Sequence, residues 1–406
     1  LGIVRDATVV VIDGHLRYAG PSADAPSVAA LPGPVRVHSA GDRLVSPGLV
    51  DAHTHLLYAG ERSREFDLRN LGASYVELQE AGGGILSTVG KTTAASDADL
   101  RELLVARLRR ALLQGCTLCE VKTGYGLWPE AELRLLGLIQ QVAVAAAAVG
   151  APHPGDLPAV APTFLCHVPP RELGGPETAE RQRFVQALAA AAGRAAIAGA
   201  EALDVYCDRG AFTLAETDAL LRAGRAAGLL LHCHAEQFTH TGVAQRAAEL
   251  GAASVEHLEQ LDDAGVSALA AAGVVANLLP GAALTLRLPW PDAPRLIHAG
   301  VAVALSTDCN PGTSLCQSLP LMMTLGCTQL GLSCAEAWLA VTQNAGRALR
   351  RDAGQLLPGR PADLVLWDAD HYRQVSQHLG ASLAVAVYRR GQLVAGQPAA
   401  GHDAEP

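Results

Sequence analysis

The sequence has no block of basic residues, and its only lysines are Lys91 and Lys122. With a formal net charge of −9, the chain offers no electrostatic footprint for a polyanion. This argues against nucleic acid or an anionic membrane as its main partner. No apolar run is long enough to span a bilayer, and no secretory leader is visible. No strand is followed by Gly-x-Gly-x-x-Gly; the glycines at 82–84 follow a helical stretch and read as a loop, not a phosphate cradle. Cys116 and Cys119 form one C-x-x-C pair, but no second pair stands at zinc-ribbon spacing. The nine cysteines are an odd number spread along the chain. They read as reduced thiols of a cytoplasmic protein rather than a disulfide frame.

What is present exceeds the needs of one average domain. Of 406 residues, 50% are hydrophobic and 17% charged, and a (β/α)8 barrel takes roughly 250. Residues 1–45 are β-rich: TVVVIDGHLRYAG holds a strand, a turn at Asp13-Gly14 and a second strand. Residues 351–406 share that texture in ADLVLWDAD and AVAVYRRGQLVAG, and the polar end GHDAEP is expected to fray. Both ends are therefore predicted to build one small β-sandwich domain beside a catalytic unit at 46–350. In that unit, eight short apolar runs alternate with Ala-rich amphipathic helices. The runs are LVDAHTHLLY, TLCEVK, AVAPTFLC, ALDVYC, LLLHCHAE, SVEHLE, VVANLLP and VAVALSTD. Eight β-then-α units predict an α/β fold, a (β/α)8 TIM barrel rather than an open sheet.

Side chains at the C-terminal ends of barrel strands face the active site. Strand one ends in His53-Thr54-His55, strand five in His232-Cys233-His234, strand six carries His257, and strand eight ends in Asp308. Residues i and i+2 of a strand share a face, so His53 and His55 can aim at one ion. Imidazole and carboxylate suit Zn2+ or Fe. A single strand histidine is usually a packed core residue; several ligand types gathered at the strand ends of one barrel predict a metal site. His234, nearer the mouth, is assigned to the metal, with His232 lower in the barrel. Strand four ends in Cys207-Asp208 with no Lys or Glu to bridge two ions, so one is expected. His257 can steady a developing oxyanion. Asp308 can bind the ion and also carry the proton of its water. Lys122 is open to two readings: an ammonium required at the site, or an ion pair with Glu120.

The stretches around these residues resemble a known family. SPGLVDAH with its His-x-His, the single histidines of strands five and six, the strand-eight Asp and GQLLPGRPADLVLWD are similar to the amidohydrolase superfamily. Within it, DAHTHLLYAGERSREFDLR, GGGILSTV, EVKTGYGL, HCHAEQF, VEHLE, LLPGAA and STDCNPGTS resemble the imidazolonepropionases. The resemblance implies hydrolysis of the cyclic amide of 4-imidazolone-5-propanoate to N-formimidoyl-L-glutamate in histidine catabolism. It further implies one Zn2+ or Fe ion per chain, a small-molecule substrate and a homodimer. Its metal ligands are His53, His55, His234 and Asp308, and its catalytic residues are Asp308, His257 and Gln237. Its substrate contacts are Arg62, Tyr125, His167, Gln237, Asn310, Gly312 and Thr313.

Physical chemistry bears on several of these. Arg62 offers a planar fork to the propionate carboxylate. Tyr125, in a Gly-flanked loop, can cover a planar ring. The turn Asn310-Pro311-Gly312 either holds substrate or shapes its loop. Two departures stand out. LCHVPP is shorter than the family's usual segment, which bears on His167, and Gln237 replaces a Glu found in some members. Glutamine cannot act as a base, which leaves proton transfer to Asp308. The alternative enzyme is a cyclic-amidine deaminase, whose neutral ring would have no use for Arg62. A non-catalytic barrel would be expected to lose ligands, and all four are present.

Overall fold

The computed structural model describes residues 1–72, 83–147 and 157–397, with the backbone of 401–404. The first two strands, β1 (Ala7–Ile12) and β2 (His15–Pro21), form a hairpin. Its turn residues Asp13 and Gly14 both have positive φ, 49° and 78°, the conformation that a two-residue hairpin loop demands. Next come β3 (Val35–His38) and β4 (Val45–Pro47). Gly48 then carries the chain into the barrel; a Cβ there would lie 2.0 Å from Thr117 Oγ1, so only glycine passes.

The eight barrel strands are β5 (Leu49–Asp51), β6 (Cys116–Lys122), β7 (Ala159–Cys166), β8 (Ala202–Cys207), β9 (Leu230–Ala235), β10 (Ser254–His257), β11 (Val275–Leu278) and β12 (Val303–Leu305). They are hydrogen-bonded in chain order from β5 to β12. All eight predicted runs are strands, but the first and last ladders are short. Beyond them the two ends close the barrel: Asp308 N donates to His53 O and His55 N to Cys309 O, each at 3.0 Å. That closure sets His53, His55 and Asp308 side by side.

Long helices pack around the barrel, including 97–112, 129–147, 179–197 and 214–226. Ser96, Thr178 and Thr213 cap three of them by accepting from backbone N–H groups, and Thr213 forms a full capping box with Glu216. Their inward leucines, such as Leu104, Leu108, Leu135 and Leu188, are buried in one continuous core. Among the described residues no helix is long and apolar enough to cross a membrane. All nine cysteines are free thiols, and Cys116 and Cys119 are buried.

The chain ends meet as predicted. β13 (Leu364–Trp367), β14 (Ala384–Arg389) and β15 (Gln392–Gly396) join β4 in a four-stranded sheet ordered β15-β14-β13-β4. Trp367, fully buried, donates its indole N–H to Ser46 Oγ at 2.8 Å. The β1–β2 hairpin attaches through Leu16 N to Arg360 O and Ala362 N to Gly14 O. One expectation is corrected. The polar end is not frayed throughout: β16 (Gly401–Ala404) pairs antiparallel with β3, whose edge satisfies its backbone. Glu405 and Pro406, like Gly82 of the glycine loop, lie outside the described residues.

Candidate metal centre and active site

Four donor atoms converge at the mouth of the barrel. His55 Nε2 lies 3.3 Å from His53 Nε2 and 3.4 Å from His234 Nε2. Asp308 Oδ1 lies 3.5 Å from His53 Nε2 and 3.3 Å from His55 Nε2. Donors on a tetrahedral ion with bonds of about 2.0–2.1 Å would stand about 3.4 Å apart. Four of the six donor pairs stand near that spacing, and His53, His55 and Asp308 bring ligand atoms within 4.8 Å of one another, so these residues fit a small divalent cation. Burial, then the Lys122 ammonium and His234, hold His53 well below the usual histidine range. Burial takes His234 down to about 4 despite the pull of Asp204. Burial pushes Asp308 up, but the hydrogen bond and charge of His55, with His257 and His234, hold it below the usual carboxylate value. The outcome is neutral imidazoles at His53 and His234 beside an ionised Asp308.

The backbone at these strand ends is strained. Glu236, His257, Leu258 and Asp308 all have positive φ (56°, 75°, 73° and 48°), an uncommon state for residues bearing a Cβ. His257 closes on the same place, its ring centroid 5.5 Å from that of His234. Its Nδ1 is 3.6 Å from Glu259 Oε1. Burial disfavours its charge, but Glu259, Asp308 and Glu256 together outweigh burial and raise its pKa.

The residues expected to contact substrate surround this centre. His167, despite the shortened loop, stacks on His55 with centroids 5.4 Å apart and planes 18° from parallel. Its Nδ1 is 3.1 Å from Gly124 O, and a Cβ at Gly124 would come within 3.0 Å of that nitrogen. Tyr125 is buried with its ring 5.6 Å from His167 and 6.2 Å from His55. Its loop is pinned by the buried carboxylate of Glu132, which accepts from Gly124, Gly126 and Leu127 N–H at 2.6–2.8 Å. Gln237 Oε1 accepts from Tyr206 OH at 2.9 Å, which leaves its NH2 to donate.

Arg62 is no free surface arginine; its side chain is 11% exposed. Its Nε and Nη2 donate to Glu65 Oε2, which also accepts from Gly84 N at 3.1 Å. Nη1 faces Gly312, where a Cβ would lie 2.1 Å away. Thr313 Oγ1 is 3.5 Å from Asp308 Oδ2, so this loop runs between the centre and Arg62. Asn310 uses its whole amide within the loop: Nδ2 donates to Asp308 O and Thr313 Oγ1, and Oδ1 accepts from Gly312 N and Thr313 N. These bonds serve loop shaping, one of its two expected roles.

Beneath the centre lies a buried group of charges that includes the Lys122–Glu120 pair read from sequence and a carboxylate, Asp204, that sequence reasoning missed. Lys122 Nζ is 2.7 Å from Glu120 Oε2 and 2.7 Å from Asp204 Oδ2, all three side chains fully buried. His232 Nδ1 meets Glu120 Oε1 at 2.9 Å, which places it below the centre as expected. His234 Nδ1 meets Asp204 at 3.1 Å. Strand four thus contributes Asp204; Asp208, the residue weighed from sequence, accepts from Arg209 N, Phe238 N and Thr239 OH and holds a loop. A signal existed. Charges at alternate positions of apolar strands, as in Glu120-Val121-Lys122, must point into a closed barrel or out against its helices.

A sequence profile of the Amidohydrolase family matches residues 44–394, and this chain belongs to that family. Its curated relatives place it further. An imidazolonepropionase of Myxococcus xanthus is 41% identical over 96% of this chain and 90% of its own length. One of Rubrobacter xylanophilus is 45% identical over 86% of this chain and 81% of its own length. Within the family, the chain therefore groups with the imidazolonepropionases. Solved structures share the fold at low identity. A 5-methylcytosine deaminase of Klebsiella pneumoniae has a TM-score of 0.73 at 18% identity, covering 96% of this chain and 94% of its own. A zinc-bound adenosine deaminase of Xanthomonas campestris has a TM-score of 0.67 at 19% identity, covering 96% and 88%.

Proposed function

We propose that this chain hydrolyses the cyclic amide of 4-imidazolone-5-propanoate to N-formimidoyl-L-glutamate. In this reading His53, His55, His234 and Asp308 hold one Zn2+ or Fe ion. The observation that carries it is the convergence of four ligand-type side chains, with neighbouring donor atoms 3.3–3.5 Å apart, in a mouth that also contains the partly buried Arg62. When bound, the ion supplies Lewis acidity, which brings the ionisation of water from ~15.7 to about 7.

The chain's own groups do the rest. Arg62 Nη1 receives the propionate carboxylate, while Tyr125 and His167 flank the planar ring. Gln237 donates its NH2 to the ring and orients it. His257 donates to the carbonyl oxygen as negative charge develops there. Asp308 Oδ1 faces the histidines, so Oδ2 takes the proton from the attacking water and passes it to the ring nitrogen as the C–N bond breaks. One water is consumed, and the ring opens without a redox step.

The test is hydrolysis of freshly generated imidazolone propionate, with metal content measured on the same sample. Turnover with about one ion per chain, lost in His234→Ala, is the expected result. A metal-loaded protein that leaves this ring intact and deaminates a neutral cyclic amidine would overturn the substrate and retain the family.

A further inference from the structure

Lys122 stands out twice: it is one of two lysines in the chain, and its side chain is fully buried. The proposed reaction gives it no substrate and no ion to touch. Its ammonium lies between two carboxylates, and each of those reaches one histidine of the His232-Cys233-His234 run. Glu120 goes to His232 and Asp204 to His234. Thr163 donates to Glu120 Oε1 at 2.6 Å and completes that arm. The group spans β6 to β9 inside the barrel, where branched aliphatic residues usually fill the layers. A buried ion pair is weak evidence for stability, so its placement needs another reason.

The geometry points to Lys122 and Asp204 as a positioning pair that fixes which nitrogen of His234 faces the metal pocket. This rests on the reading of His234 as a ligand. His234 Nδ1 lies 3.1 Å from both Asp204 oxygens, and Oδ1 is the one in hydrogen-bonding geometry. Oδ2 is held by Lys122. A carboxylate can only accept, so Nδ1 must carry the proton and Nε2 must present its lone pair to the pocket. Lys122 prevents the carboxylate from turning, and its charge balances the cost of burying it. Neither residue touches the ion. Both act through His234.

The pair makes an unusual double-variant prediction. In Asp204→Asn, the amide oxygen stays with the Lys122 ammonium, since the amide NH2 facing that ammonium would set donor against donor. The NH2 then faces His234 Nδ1 and forces the proton onto Nε2, which removes the lone pair. Zinc affinity, read by competition with a chromogenic chelator, should fall 10–100-fold, the usual range for a lost ligand orienter. Adding Lys122→Met frees the amide to turn its oxygen to His234, so Asp204→Asn/Lys122→Met should regain at least a third of that loss on a logarithmic scale. Urea midpoints of the single and double variants, taken without metal, separate this recovery from restored folding, since an apolar Met also relieves an ammonium left short of one carboxylate. Recovery that only tracks the midpoints overturns the pairing.

Equal zinc affinity in Asp204→Asn and the unaltered chain, or no recovery in the double variant, overturns the pairing. His234→Ala separates the two readings: if it leaves zinc affinity intact, the ligand assignment itself fails. If the variants do not fold, 15N spectra of histidine-labelled, unaltered, metal-free protein decide. A proton on His234 Nδ1 upholds the pair, and a proton on Nε2 overturns it.

Discussion

At the scale of single residues, Gly312 shows how a missing atom makes room for a neighbouring guanidinium. It carries no positive φ in need of glycine; what excludes a side chain is the Arg62 guanidinium, 2.1 Å from where a Cβ would stand. Arg62 cannot yield easily because Glu65 holds two of its nitrogens. Gly312→Ala should therefore push Nη1 off line, raising KM about 10-fold (about 1.4 kcal/mol) with kcat nearly unchanged, the pattern of lost uniform binding. Steady-state kinetics check this, and an unchanged KM would remove Arg62 as the carboxylate clamp. Arg62 and Gly312 were both named as candidate substrate contacts from their motifs. Their mutual contact was not, since 250 positions separate them in the chain and only barrel closure brings the two loops together.

At the scale of elements, the segment after β12 is built by one side chain. Asn310 makes four hydrogen bonds that hold Gly312, Thr313 and the carbonyl of Asp308. Asn310→Ala should cost about 1–3 kcal/mol of stability and weaken metal binding through a displaced Asp308. Urea unfolding of the metal-free chain, alongside chelator competition, measures both. A variant with wild-type metal affinity would show that β12 alone positions Asp308. The elements themselves were the most readable part of the sequence. Each barrel strand was visible as a short apolar run, because strands buried on both faces must be apolar. Among the exceptions, Glu120 and Lys122 were read as a candidate ion pair, while Asp204 and Glu256 stayed hidden. Their direction, into the barrel or out to the helices, depends on a register the sequence does not state.

At the scale of the whole molecule, the buried charges couple stability to pH. Burial, then the Asp204 charge, pushes Glu256 up to about 7, against about 4.3 in an unfolded chain. Between those values the folded state keeps a proton that the unfolded state has lost, so this group's contribution declines as pH rises from about 4.3 to about 7. Glu256→Gln stays neutral and removes that slope. It should match the unaltered protein near pH 5 and exceed it by on the order of 1–3 kcal/mol at pH 8. Asp51, also raised to about 7 by burial, titrates in both proteins, so the difference between urea midpoints is the reading to take. An equal difference at both pH values would remove the assignment. The sequence by itself determined the eight-strand barrel, the joining of both ends in one small domain and the ligand types at the strand ends. Those depend on local apolar pattern and on the period-2 geometry of a strand. Only the tertiary structure decided that His53, His55 and Asp308 meet through the β5–β12 closure, that Gly401–Ala404 is a strand, and that Lys122 pairs with Asp204. Each depends on which distant backbones lie within hydrogen-bonding reach, and no local pattern encodes that.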